Sequence, residues 1–130
     1  MKSQGRNLTE RLNFIDVFSG AGGLSCGLEM SGWRCLLGVD SDKNAIKTFA
    51  RNHKHAQTYC GDITKLTKKR LLELTDHQDV HAVVGGPPCQ GFSTVGTGDP
   101  EDERNSLFLQ FVRTVKITKP AIVVVKTGTV

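Results

Sequence analysis

The least ordinary segment of this 130-residue chain is Pro87-Pro88-Cys89. Two successive prolines fix φ twice and remove two backbone donors, so the chain reaches Cys89 stiff and extended. A thiol presented that way, behind Gly85-Gly86 and ahead of a polar stretch from 91 to 104, reads as a nucleophile. Its attack needs a lowered pKa or a nearby base, and the residues do not say which. A second group of residues has the chemistry to hold a ligand. Ser19-Gly20-Ala21-Gly22-Gly23 lets backbone approach a bound molecule closely, and Asp40 follows Gly20 at the spacing of a carboxylate that accepts from ribose hydroxyls. Ser25 stands where a dinucleotide pattern needs its third glycine, so a nucleoside without pyrophosphate is expected. Asp62, after Cys60-Gly61, is placed to accept from an exocyclic amine. Asp16, inside the apolar run before the glycines, is expected to support the loop instead of touching ligand.

These residues need a frame, and the periodicity supplies one. Leu12 to Phe18 reads as a strand feeding the glycine loop, and Leu24, Cys26, Leu28 and Glu29 begin a helix that Ser31-Gly32 stops. Trp33 to Val39 reads as a second buried strand, after which Asp40-Ser41-Asp42 caps a helix through Ala45, Ile46, Phe49 and Ala50. Thr58-Tyr59-Cys60 is a weak third strand. A helix follows with Leu66, Leu71, Leu72 and Leu74 inside and a solvated basic face at Lys65, Lys68, Lys69 and Arg70. Val80 to Val84 is a fourth strand, and Asn105 is expected to cap a helix bearing Leu107, Phe108, Phe111, Val112 and Val115. Pro120 to Val125 reads as a fifth buried strand. Strands alternating with amphipathic helices imply an α/β, doubly wound, mainly parallel sheet, in which ligands bind outside the carboxyl ends of the strands. The glycine loop, Asp40, Asp62 and the segment from Gly85 to Gln90 all fall at that one rim.

Composition excludes several alternatives. With 38% hydrophobic and 23% charged residues the chain fits one ordinary domain, and 14 Gly with 4 Pro stay below low-complexity levels. No apolar run approaches the roughly 18 residues that span a bilayer, and no secretory leader is read, so a cytoplasmic location is expected, nucleoid-associated in a bacterium. Cys26, Cys35, Cys60 and Cys89 have wide, unequal spacings, which disfavours a disulfide framework and leaves no paired metal ligands. Cys26, Cys35 and Cys60 are expected as small buried apolar residues. Trp33 is expected in the core, and His53, His55, His77 and His81 are read as structural or surface groups. The net charge of +4 leans towards a polyanionic partner without establishing one.

At this point the chain resembles the DNA (cytosine-5)-methyltransferases. Asp16 to Leu24 (Asp-Val-Phe-Ser-Gly-Ala-Gly-Gly-Leu) is similar to that family's first motif, Val39-Asp40 to the second and Gly61-Asp62-Ile63 to the third. Gly85-Gly86-Pro87-Pro88-Cys89-Gln90-Gly91-Phe92-Ser93 is similar to the fourth, and Arg104-Asn105-Ser106-Leu107-Phe108 to the segment after the catalytic loop. The resemblance runs from about Leu12 to Val125 in the family's order. It implies a Rossmann-like fold and S-adenosyl-L-methionine as cofactor. Phe18, Ser19, Gly20, Ala21, Gly22, Gly23 and Leu24 would line its pocket, Asp40 would take the ribose hydroxyls, Asp62 with Ile63 the adenine, and Leu107 would complete the wall. It further implies that double-stranded DNA is the substrate, with the target cytosine flipped out of the duplex. Cys89, carried by Pro87 and Pro88, would attack C6 so that C5 takes the methyl group, and loss of the C5 proton would expel the thiol. Gln90, Ser93 and Arg104 are the DNA-contact candidates.

The departures count as much as the matches. After the fifth strand the family has Glu-Asn-Val, whose glutamate serves N3 of the cytosine, and this chain has Lys126-Thr127-Gly128. The arginine-bearing motif, target-recognition region and final helix of the family have no counterpart. The reading is therefore a flexible segment over 1–11 and a partial catalytic domain over 12–130, truncated after about five strands, as part of a split or truncated enzyme. A second polypeptide carrying the target-recognition region is the expected partner in the split case. A non-catalytic module that binds S-adenosylmethionine or a partner, and an RNA cytosine-5 methyltransferase, are the alternatives. No metal and no membrane enter any of them. The isolated 130-residue chain is expected to show weak or no turnover, and robust DNA methylation by the purified chain alone contradicts this.

Overall fold

The computed structural model describes residues 11–87 and 103–126. The strands are β1 (Asn13–Val17), β2 (Arg34–Asp40), β3 (Gln57–Cys60), β4 (Ala82–Gly85) and β5 (Ile122–Val125). The helices are α1 (Gly23–Met30), α2 (Lys43–Asn52), α3 (Lys68–Leu74) and α4 (Glu103–Thr118), with a single 3₁₀ turn over Ile63–Lys65. All four strand pairings are parallel, in the order β3-β2-β1-β4-β5. The chain winds outward from β1 to one edge and then returns to build the other. The reversal point lies between β1 and β4, where a doubly wound sheet opens a crevice at its carboxyl ends. The expected α/β class and the alternation of elements are both realised.

Two apolar layers follow from the two-residue period of the central strands. Ile15 and Val17 of β1 join Leu37, Val39 and Val83 against Leu71, Leu74 and Phe111, while Phe14, Cys35, Ala82 and Val84 meet Phe49 on the opposite layer. Burial of both faces explains why β1, β2 and β4 read as continuous apolar runs. Caps begin the helices where the sequence offers them. Asp42 accepts from the N–H groups of Asn44 and Ala45 at 2.9 and 3.2 Å, and Thr67 accepts from Arg70 at 3.1 Å. Trp33 is half-buried against the Phe49 layer, as a core residue at its margin.

Four expectations change. The fifth strand forms over Ile122–Val125 but is not buried, with Ile122, Val123 and Val124 at 45%, 44% and 42% exposure. It pairs only with β4 among the described strands, so its apolar side chains lack the covering layer that the inner strands have. Asn105 is not a cap, because α4 starts at Glu103 and takes Arg104 and Asn105 into its first turn. Cys26 and Cys60 are exposed instead of buried, since α1 turns Cys26 away from the sheet and β3 is the other edge strand. Only Cys35 of the three behaves as a small core residue; burial raises its thiol pKa to about 12 and keeps it inert. Among the described residues no helix is long and apolar enough to cross a membrane.

Within the strands, glycine is required at two places by close approach. A Cβ on Gly38 would lie 2.4 Å from the Phe49 ring, and one on Gly85 would lie 1.9 Å from the Val17 carbonyl oxygen. In β2, Gly38 thus leaves the slot into which α2 inserts Phe49, and Gly85 lets β4 close on β1. Gly38→Ala is expected to destabilise the fold by about 1–3 kcal/mol through overpacking against a fully buried ring. The check is the urea unfolding midpoint, which should fall without a change in slope.

Candidate active site

The glycine loop is built by an unusual backbone. Phe18 stands at φ 62°, Gly20 at 58° and Gly22 at 96°, so three of five residues occupy the left-handed region. Gly20 and Gly22 do so freely, whereas for Phe18 the conformation is strained and is held by the packing of its ring on the core. Around this loop the chain places three anchors. From below, the Ser25 hydroxyl of α1 donates to Asp16 Oδ2 of β1 at 2.6 Å, with both residues buried. At the rim, Gly20 N–H donates to Asp40 Oδ2 at 2.8 Å, and Ser19 N–H donates to the Val39 carbonyl at 2.9 Å. From α2, the buried His53 ring reaches the Gly22 carbonyl, 3.3 Å from Nε2.

The glycine loop, Asp40, Asp62 and Pro87 are brought to one rim, at the carboxyl ends of β1, β2, β3 and β4. Asp40 is half-buried at the end of β2, and its other oxygen, Oδ1, accepts from Asp42 N–H at 2.9 Å. Each carboxylate oxygen keeps a second lone pair for another donor. Asp62 lies at the end of β3, the neighbour of β2, and is exposed. Its Oδ1 accepts from the backbone and hydroxyl of Thr64 at 2.9 and 2.7 Å, which holds its carboxyl below the ordinary range. Ala21 and Gly23 are exposed, and Ser19, Leu24 and Leu107 half-buried. Ile63 is different: only 4% exposed, its side chain belongs to the core. Its backbone is what lies at the rim. Pro87 is buried at the end of β4, while Pro88, Cys89, Gln90 and Ser93 lie outside the described residues. Arg104 sits in the first turn of α4 and not in the loop before it.

Lys126 occupies a telling place. Its N–H continues the ladder to the Gly85 carbonyl at 2.7 Å, and a Cβ on Gly86 would lie 3.8 Å from Lys126 Cβ. The residue after β5 therefore stands beside the base of the Pro87 arm, so the cation is at the rim and not on a remote surface.

Several supporting residues escape sequence reasoning. Arg113 of α4 donates to the carbonyls of Leu66 and Ile63 at 2.9 and 2.7 Å, stapling the turn that carries Asp62. Nothing in the local pattern separates it from a solvated helix arginine. Ser25 could have been suspected, since a polar residue on the inner side of the first turn of α1 needs a partner and Asp16 lies in the strand beneath it. His53 and His81 prove structural, the latter accepting Asn13 N–H on Nδ1 at 2.9 Å. Among the described residues no cluster of three or more metal-ligating side chains occurs.

Comparison with known proteins fits this geometry. The family model described as C-5 cytosine-specific DNA methylase matches residues 12–125. The chain belongs to this family. It is 42% identical over 118 residues to the Type II methyltransferase M1.HphI of Haemophilus parahaemolyticus, covering 88% of this chain and 32% of that protein. It is 41% identical over 115 residues to the Type II methyltransferase M.DdeI of Desulfomicrobium norvegicum, covering 88% and 27%. A solved structure described as a DNA modification methyltransferase encoded within an E. coli prophage superposes with a TM-score of 0.77 at 33% identity, covering 89% of this chain and 32% of the other. The chain thus spans about a third or less of the length of these relatives. Its fold is that of the Rossmann-like methyltransferases.

Among the described carboxyl groups of this fold, Asp16 is the most perturbed. Burial raises its pKa from 3.8 to about 6, against opposing contributions from the Ser25 hydrogen bond and from His53 and Lys126. The folded protein therefore holds this proton more tightly than the unfolded chain, and stability falls as pH rises between 3.8 and about 6. Asp16→Asn keeps an acceptor for Ser25 and removes the charge. It is expected to stabilise the fold at pH 7.5 by about 2–3 kcal/mol, from roughly 1.4 kcal/mol per pKa unit, and to match wild type at pH 3.5. Urea denaturation of both proteins at the two pH values is the check.

Proposed function

We propose that this chain is the cofactor-binding and nucleophile-bearing part of a DNA (cytosine-5)-methyltransferase. The observation that carries the reading is the rim itself. A left-handed glycine loop and two carboxylates, Asp40 and Asp62, converge at the ends of the adjacent strands β1, β2 and β3. A Cβ on Gly20 or Gly23 would meet no atom within 4 Å, so the loop opens onto free space. S-adenosylmethionine suits this donor set, because its ribose hydroxyls and adenine amine are donors and it has no pyrophosphate that would call for a third glycine. When bound it supplies an electrophilic methyl group.

Each residue then has a task. Phe18 to Leu24 bring backbone to the ligand, Asp40 accepts from the ribose hydroxyls and Asp62 from the adenine amine. The Ile63 backbone and the Leu107 side chain close the adenine end. Pro87 and Pro88 deliver Cys89 to C6 of a flipped cytosine, where thiol addition raises the electron density at C5. Gln90, Ser93 and Arg104 contact DNA. The family, described as C-5 cytosine-specific DNA methylase, supports DNA as the substrate, read here as double-stranded. The residue range 12–130 is read as the partial catalytic domain, with 1–11 appended to it and the target-recognition region on a second polypeptide.

Lys126 favours a second reading, a module that binds S-adenosylmethionine or a partner without turning over. Where the family uses a glutamate to serve N3 of the cytosine, a lysine beside Gly86 supplies a cation, which repels a protonating N3. Calorimetry with S-adenosylmethionine tests the common part of both readings. Wild type is expected to bind, and Asp40→Ala to lose at least about tenfold in affinity, because it removes both the ribose acceptor and the brace on Gly20. Trapping of Cys89 by a 5-fluorocytosine duplex in the presence of candidate partner polypeptides that carry a target-recognition region then separates them: a covalent adduct supports the enzyme, and cofactor binding without adduct supports the binding module.

A further inference from the structure

We propose that His53, with Glu29, is a positioning residue for the cofactor loop, setting the height of Gly22 through its two ring nitrogens. The proposal rests on the reading of this rim as an S-adenosylmethionine site. His53 is the C-cap residue of α2, its N–H donating to the Phe49 carbonyl at 2.9 Å, and its side chain is 1% exposed. Nδ1 lies 2.5 Å from Glu29 Oε1 and Nε2 lies 3.3 Å from the Gly22 carbonyl oxygen. A carbonyl oxygen accepts and never donates, so Nε2 carries the hydrogen of the Gly22 contact. Nδ1 is left to pair with the Glu29 carboxyl, and Glu29 Oε2 also accepts Cys35 N–H from β2 at 3.4 Å. A single imidazole therefore ties the loop, the last turn of α1, the end of α2 and, through Glu29, the strand β2.

The ring has no freedom to serve otherwise. Phe49 packs against it with centroids 4.5 Å apart, and a Cβ on Gly22 would stand 2.8 Å from both His53 Nε2 and Phe49 Cδ2. Gly22 is also where α1 begins. At φ 96° it has no side-chain cap, and its carbonyl accepts Cys26 N–H at 2.9 Å, the first turn of the helix. Displacement of the Gly22 carbonyl thus moves both the loop backbone and the helix start, two features that face the ligand. Packing alone needs a ring of this size but no donor at Nε2.

Two substitutions separate the nitrogens. The amide nitrogen of Gln is four bonds from Cα, like Nε2, and that of Asn is three bonds away, like Nδ1. His53→Gln keeps a donor for Gly22, and His53→Asn keeps one only for Glu29. Both lose the ring and should lower Tm alike. S-adenosylmethionine affinity by calorimetry on the full chain should then stay within about threefold of wild type for His53→Gln and fall about five- to tenfold for His53→Asn, the weight of one hydrogen bond. Hydrogen exchange at the Gly22 and Cys26 amides, without ligand, should quicken in His53→Asn more than in His53→Gln. Equal affinities and equal exchange in the two variants assign His53 to packing and overturn the proposal. Failure of the wild-type chain to take up S-adenosylmethionine overturns instead the reading on which the proposal rests, whereas wild-type binding with an unweakened His53→Asn overturns this inference alone.

Discussion

The glycine loop after β1 is the constraint on which the rest of the molecule depends. Its residues Phe18, Gly20 and Gly22 hold left-handed conformations that the chain does not adopt in isolation at low cost, above all at Phe18. Such a backbone persists only where its surroundings over-determine it. Here they do so from three directions: Asp16 through Ser25 from the core, Asp40 through Gly20 from the neighbouring strand end, and His53 through Gly22 from the second helix. The order β3-β2-β1-β4-β5 is what makes these directions available, because β1 lies at the centre and its carboxyl end is flanked by β2 on one side and β4 on the other.

The same arrangement concentrates charge. Asp16, Asp40, His53 and Lys126 come from four separate stretches of chain and all bear on the ionisation of Asp16. An acid buried beneath a loop costs stability when ionised, yet it is the acceptor that fixes the first turn of α1. The cost is tolerable because the Ser25 hydroxyl, His53 and Lys126 offset part of the desolvation. Such conflict between local stability and geometry is the ordinary mark of a binding site. The opposite edge shows another kind of incompleteness: β5 offers valine and isoleucine to solvent, although its ladder to β4 is fully formed.

Most of the fold was legible in the residues. All five strands and the glycine loop fall where apolar runs and punctuation place them, and the family motifs mark one rim of the sheet, because they combine backbone freedom at Gly20 and Gly22 with carboxylates at strand ends. The Asp42 cap was equally readable, since a carboxylate at that position serves the free N–H groups of a helix start regardless of context. Burial was less legible at the margins. Cys26, Cys60 and the β5 valines have apolar or neutral side chains whose exposure depends on what lies across from them, which no local pattern encodes.

The residues alone were therefore enough to read the set of elements, the polar groups at their ends and the family to which the chain belongs. These are local properties: propensity, period and the irreplaceable conformations of glycine and proline act over a few residues. The tertiary structure alone decided which distant groups meet. His53 is separated from Gly22 by 31 residues and Arg113 from Ile63 by 50, and each makes its contact because crossover helices return to the same sheet. Whether such a side chain is solvated or buried on a carbonyl is settled by chain topology, and topology is a property of all the strands at once.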